Sequence, residues 1–328
     1  MIFKFQPILK SLIWGGDKIL PYKGIKSDLT NIGESWEISG VSSDQSIVAG
    51  GEYDGLSLSE LTNTLKGKLL GENNYKRFGN EFPLLIKFID AREPLSIQVH
   101  PNDELSWQRH QKKGKTEMWY VVDTDPNANL KVGFSQAITP EEYEAKIADN
   151  TICDVLRDYT ISKGDFFFLP AGRIHSIGAG AFIAEIQQTS DVTYRIYDFG
   201  RKDKDGKERE LHTELSKDAI DYTLVDDYQT HYQSKKNEKV NLADCQYFTT
   251  DLYDLDKGTT TNIDLSSLDS FLVVMCVAGQ AVITDKTSSI STTIKQGETI
   301  LLSADTSAVE IETKLDTKLL LASVSSPA

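Results

Sequence analysis

Cysteine is scarce in this chain. Its 328 residues contain three, Cys153, Cys245 and Cys276, far apart and without a CxxC spacing. That argues against a disulfide framework and fits reduced, packing residues of a cytosolic protein. Long apolar runs are missing too, since no stretch reaches the roughly 18 residues that a membrane span needs. The opening Met1-Ile-Phe-Lys-Phe-Gln-Pro7 has neither the apolar core nor the small-residue cleavage site of a signal peptide. Basic charge is in deficit, with 35 Lys and Arg against 49 Asp and Glu and a formal net charge of -14. Such a surface repels phosphate backbones and anionic lipid, which argues against nucleic acid and membrane as partners. The expectation is a soluble, cytoplasmic protein whose acidity serves solubility.

What is present is ordinary globular material, 39% hydrophobic and 9% aromatic, long enough for roughly two domains. Short apolar or alternating segments bounded by turn residues predict strands over 83–89, 95–100, 117–122, 165–169 and 181–187. Ser57-Leu-Ser-Glu60 and Thr139-Pro140-Glu141-Glu142 read as capping boxes, before helices over 61–70 and 143–147. Residues 101–113 predict a short helix or helical loop, and the charged run 201–210 a solvated loop. The polar stretch 231–239 marks the domain boundary, giving units 1–235 and 236–328. Beyond it, 270–277, 280–284 and 299–303 again predict strands. Lys163-Gly164-Asp165 and the apolar strand after it are echoed by Gln296-Gly297-Glu298 and its own strand. The second copy has Ser303 in place of Pro170, and no histidine follows. The expectation is a mainly β protein of two β-sandwiches with a few short helices, only one sandwich holding metal.

The chemistry concentrates in two segments. In an extended strand alternate side chains share a face, so Gln98 and His100 point the same way. Gly164 and Pro170 bracket the second segment, and Gly172 sets His175 just beyond a tight turn. With Glu117 these residues make a metal set of two imidazoles, a carboxylate and an amide oxygen, which suits zinc better than iron or manganese. His110, His212 and His231 have no such company and read as surface residues. Lys115, two before Glu117, and Ser96, two before Gln98, lie on the metal-facing sides of their strands.

Glycine, five residues, proline, one, glycine, two, histidine is the second signature of the cupin superfamily, and residues 164–175 fit it without a gap. In the first signature Gln98 replaces a histidine and Glu117 follows only after an insertion. Gln98-Val-His100-Pro-Asn-Asp103 and Gly114-Lys-Thr-Glu117-Met-Trp-Tyr120 closely resemble type I mannose-6-phosphate isomerases. So do Ile13-Trp14-Gly15-Gly16, Gly33-Glu-Ser-Trp36-Glu37-Ile-Ser39, the segment 83–90, and Thr193-Tyr-Arg195-Ile-Tyr-Asp198. The resemblance covers roughly residues 1–200 and the compact bacterial form of the family.

It implies two cupin-like jelly rolls, the second degenerate. It also implies one Zn2+ per chain, held by Gln98, His100, Glu117 and His175. The implied reaction interconverts mannose 6-phosphate and fructose 6-phosphate through an enediol or enediolate. Arg195 is then the catalytic arginine, on the enediolate or on the phosphate, and Lys115 binds phosphate or moves a proton. Ser96, Trp14 and Asp191 are expected at the substrate, with Trp36 and Trp119 lining the pocket or filling core. Asp191, Glu185, Lys115 and a water on the metal are candidates for the base. The partner is a phosphorylated hexose, and a monomer or homodimer stays open. The alternatives are another metal-dependent cupin enzyme or a non-catalytic sugar-binding cupin.

Overall fold

Leu84–Asp90 is buried at every position, as is Ala181–Gln188, its antiparallel neighbour. An antiparallel strand usually wets one face. Here both faces are covered, because four antiparallel sheets stack in sequence. The computed structural model describes residues 1–202 and 205–324. In its second layer, Leu84–Asp90 and Ala181–Gln188 lie in a six-stranded sheet with Ile8–Gly16, Ile32–Ser39, Glu117–Thr124 and Phe166–Leu169.

Alternation divides this sheet cleanly. Phe88, Met118, Tyr120 and Ile186 point toward the C-terminal unit, where they share one core with Phe248, Phe271, Met275 and Leu320. Ile89, Trp119, Val121 and Ile183 point the other way, into the first sandwich. That sandwich is closed by a five-stranded sheet of Ile97–Val99, Asn129–Phe134, Leu156–Thr160, His175–Ile177 and Tyr194–Tyr197. Helices Pro140–Ala148 and Thr213–Ala219 cover its outer face over Ile97, Val99 and Phe134. The second sandwich repeats the plan, with a core of Leu272, Val274, Cys276, Ile283, Ile311 and Leu319.

The expected capping boxes are present, from Ser57 to Glu60 and from Thr139 to Glu142 with Pro140 in the first turn. The helix predicted over 61–70 is two helices, Leu58–Leu65 and Gly67–Leu70. They are separated by Lys66, whose φ of 53° no helix accommodates. The strand Ile2–Lys4 crosses the expected division at 235 and pairs with Thr299–Leu302 in the second unit's sheet. Within 201–210, residues 203 and 204 lie outside the described residues. Arg201 and Arg209 in that stretch are half-buried and both pair with Asp198. Among the described residues no helix is long and apolar enough to cross a membrane.

Candidate active site

Two rows of cross-strand neighbours face each other inside the first sandwich. In the five-stranded sheet, Gln98 is in register with His175 on one side and Arg195 on the other. In the six-stranded sheet, Lys87 sits between Trp36 and Glu185, and Glu185 also pairs with Trp119. Residues opposite one another across a ladder project to the same face. Register alone therefore gathers distant polar residues into one interior.

His100 and His175 reach Glu117 across this space, and all three are within 2% of complete burial. His175 Nε2 is 3.2 Å from Glu117 Oε1 and His100 Nε2 is 3.6 Å from Oε2. Their other ring nitrogens are committed, His100 Nδ1 to Val192 O at 3.0 Å and His175 Nδ1 to Arg173 O at 2.7 Å. A carbonyl only accepts, so Nδ1 carries the proton and each Nε2 keeps its lone pair. Trp119 holds the His175 ring edge-on at 5.2 Å. Gly172 N–H, in a turn with φ of 89° that favours glycine, ties His100 O at 2.8 Å and sets the two histidine segments side by side.

Burial holds His100 well below the ordinary histidine range and brings His175 down to about 4, so both imidazoles are neutral. Burial, with the Glu185 carboxylate next, pushes Glu117 above the usual carboxylate range. His100 Nε2 and both Glu117 carboxylate oxygens are buried without a hydrogen bond among the described residues. Three converging acceptors, one of them beside the Lys115 ammonium, make a site that fits a cation. The ligand atoms of His100, Glu117 and His175 lie within 4.8 Å of one another, close enough to hold a metal ion. The Gln98 amide stands 3.3 Å from His175 Nε2, and a half-turn of that amide would present its oxygen to the same point.

Above the triad opens a cleft of about 370 Å³, within the range of small-molecule sites. Gln98 and Lys115 form its floor, and Trp14, Trp36, Ser96 and Asp191 are among its walls. Lys115 Nζ lies 3.1 Å from Glu117 Oε2. Arg195 points into the cleft with its Nη1 donating to Glu210 O at 2.9 Å, while its Nε is buried without a partner. Among the described residues no carboxylate pairs with it.

The sequence-predicted residues thus come together, with three refinements. Trp119 is core and donates to Glu185 Oε1 at 2.6 Å. Asp191 sits at the rim, held by Lys112 at 2.7 Å. His212 is half-buried against Arg195 and not a free surface residue. Sequence reading missed Lys87, 2.7 Å from Glu185 and 3.3 Å from Glu34. Burial alone would lower its pKa, but Glu185 and Glu34 more than offset this and hold it charged. A lysine amid the apolar run Leu-Leu-Ile-Lys-Phe-Ile was the available signal.

Residues 2–145 match the catalytic domain of type I phosphomannose isomerases, and residues 238–319 match the cupin domain of mannose-6-phosphate isomerases. The chain is 36% identical over 279 residues to mannose-6-phosphate isomerase ManA of Bacillus subtilis, covering 84% of this chain and 85% of that one. A crystal structure of mannose 6-phosphate isomerase from Bacillus subtilis superposes with a TM-score of 0.86 at 29% identity. It covers 98% of this chain and 99% of its own. A mannose 6-phosphate isomerase crystallised with zinc and yttrium shares the fold, with a TM-score of 0.78 at 17% identity, over 99% of both chains. The chain belongs to the type I phosphomannose isomerases, the enzymes that interconvert mannose 6-phosphate and fructose 6-phosphate.

Proposed function

We propose that this isomerase is zinc-dependent and that Gln98, His100, Glu117 and His175 hold the ion. The observation that carries this reading is the acceptor-only triad beneath a cleft lined by two cations, Lys115 and Arg195. Bound there, zinc would supply Lewis-acid polarisation of the sugar carbonyl without redox side chemistry.

The remaining chemistry is assigned to the chain's own groups. Interconversion removes a proton from the carbon beside the carbonyl and returns one to the neighbouring carbon, with an enediolate between. Lys115 Nζ holds a proton at the cleft floor, where a developing oxyanion needs positive charge or a donor. Arg195 faces the same space with an unpaired Nε and grips oxygens, its charge permanent. Ser96 and Trp14 orient the sugar, the indole against its apolar face, and Asp191 closes the rim. Glu185 is engaged on both oxygens by Lys87 and Trp119, which suits an anchoring anion better than a proton acceptor. The second sandwich is a structural unit, and unpaired Cys153, Cys245 and Cys276 suit a reducing cytoplasm.

The test is coupled mannose 6-phosphate turnover before and after chelation, and again with zinc restored, alongside His100→Ala. Activity should vanish on chelation and in the variant, and return with zinc in the wild type alone. Full turnover by a chelated protein shown to hold no metal would end the zinc reading.

A further inference from the structure

Tyr194–Tyr197 is the edge strand of the five-stranded sheet, paired on one side to Ile97–Val99. An edge strand leaves a row of outward N–H and C=O groups to be satisfied by other means. At Arg195 a single residue satisfies both. The Arg195 N–H donates to His212 Nδ1 at 3.0 Å, and the His212 N–H donates to Arg195 O at 2.7 Å. Two residues earlier in the same segment, Glu210 O accepts from the guanidinium. Backbone and side chain of Arg195 are thus both tied to residues 210–212.

A backbone N–H only donates, so His212 Nδ1 must keep its lone pair and the imidazole must be neutral. Protonation would set N–H against N–H and place a second cation beside the guanidinium. We propose that His212 is a positioning residue whose neutral Nδ1 anchors the Arg195 backbone and thereby aims the guanidinium into the sugar cleft. This rests on the role assigned to Arg195 above.

The surroundings favour the neutral form. His212 faces Arg195 and Glu210 on the paired segments, the Tyr194 ring at 6.2 Å, and His110, whose Nε2 bonds the Tyr194 hydroxyl at 2.7 Å. Lys112 and Asp191 stand on the wall of the cavity that His110 and His212 share, and Glu214 and Lys217 follow on its own helix. Burial first, then the Arg195 charge, holds the imidazole below the ordinary histidine range.

His212→Asn offers an acceptor oxygen near the position of Nδ1 and cannot be protonated in this range, whereas His212→Ala offers none. Both would be compared with wild type and Arg195→Ala by steady-state kinetics from about pH 5 to about pH 8, with metal content and thermal melts measured alongside. The expected result is a loss of about tenfold in kcat/KM for His212→Ala at unchanged metal content. His212→Asn should return to within about threefold of wild type, with its acid limb at lower pH. If His212→Ala does not fold, the restored activity and displaced acid limb of His212→Asn test the inference on their own. A folded, metal-loaded His212→Ala with wild-type kinetics would overturn the inference, as would a folded, metal-loaded His212→Asn that is as impaired as alanine or keeps the wild-type acid limb. Full turnover by Arg195→Ala would instead remove the Arg195 assignment itself.

Discussion

The two sandwiches are built on one backbone plan and filled with opposite chemistries. In the first, Gly164 N–H donates to Val121 O and Val121 N–H to Asp165 O. In the second, Gly297 N–H donates to Cys276 O and Cys276 N–H to Glu298 O. Each acidic residue also folds back to accept from a backbone N–H three positions earlier, Asp165 from Ser162 at 2.8 Å and Glu298 from Lys295 at 3.1 Å. Following the ladders from these shared anchors sets Leu272 at the place of Glu117, Val274 at that of Trp119 and Leu321 at that of Glu185. Ile311 stands where His175 stands, since Gly178 N–H donates to Asn129 O as Lys314 N–H does to Gln280 O, and each strand runs on in the same register. Each buried leucine or valine stabilises the second unit by about 1.5–3 kcal/mol. The first unit gives up part of that return to keep Glu117, Glu185, Lys87 and two neutral histidines out of water. The lesson is that a handful of inward positions, and not the fold, separate a reaction vessel from a buttress.

Exchanging those positions tests the comparison. The largest effect is expected from Glu117→Leu, which gives the first sandwich the second one's residue. Turnover should fall by about 10³-fold or more and bound metal should disappear, while the melting temperature holds or rises. Retained metal in a folded variant would break the assignment. The converse change, Leu272→Glu, buries a carboxylate with no triad to receive it and should cost about 3–5 kcal/mol, read by denaturant melts. An unchanged midpoint would mean that the second interior is more permissive than its apolar lining implies.

The smallest effect concerns a pair of aspartates. Asp254, in register with Lys318 as Asp90 is with Phe182, is flanked by Lys236 at 2.8 Å and Lys318 at 3.2 Å. Asp90 is 1% exposed and receives the Lys18 N–H at 2.7 Å, and burial pushes its pKa up to about 6. Between about pH 4 and about pH 6 the folded state therefore binds more protons at Asp90 than the unfolded chain does. Stability falls as pH rises through that window and stays reduced above it. Asp90→Asn should raise stability by about 1–3 kcal/mol near pH 7.5, with the gain fading toward pH 4. A gain that is equal at both ends would assign the effect to packing and not to charge.

Much of the site was legible because its signals are local. Strand alternation joined Gln98 to His100, and the Gly164–His175 spacing fixed a turn whose geometry few sequences support. The features that escaped depend on which strands become neighbours. The Lys87–Glu185–Trp119 row exists only through register between residues 98 and 66 positions apart in the chain. His212 acts through a side chain completing a sheet edge, which leaves no periodic trace. The Ile2–Lys4 strand was unreadable for a similar reason, since a short apolar segment does not announce a partner about 300 residues away.

That pairing has a consequence in time. Ile2, Phe3 and Lys4 close against Leu302, Leu301 and Ile300, so the strand made first completes a sheet whose other members are made last. At about 5–20 residues per second, roughly 15–60 s of synthesis separates the two. Throughout that interval Phe3 and Phe5, both buried in the finished core, stand beside an unpaired strand edge. Until residues 300–302 are made, the strand Ile2–Lys4 has no sheet to join.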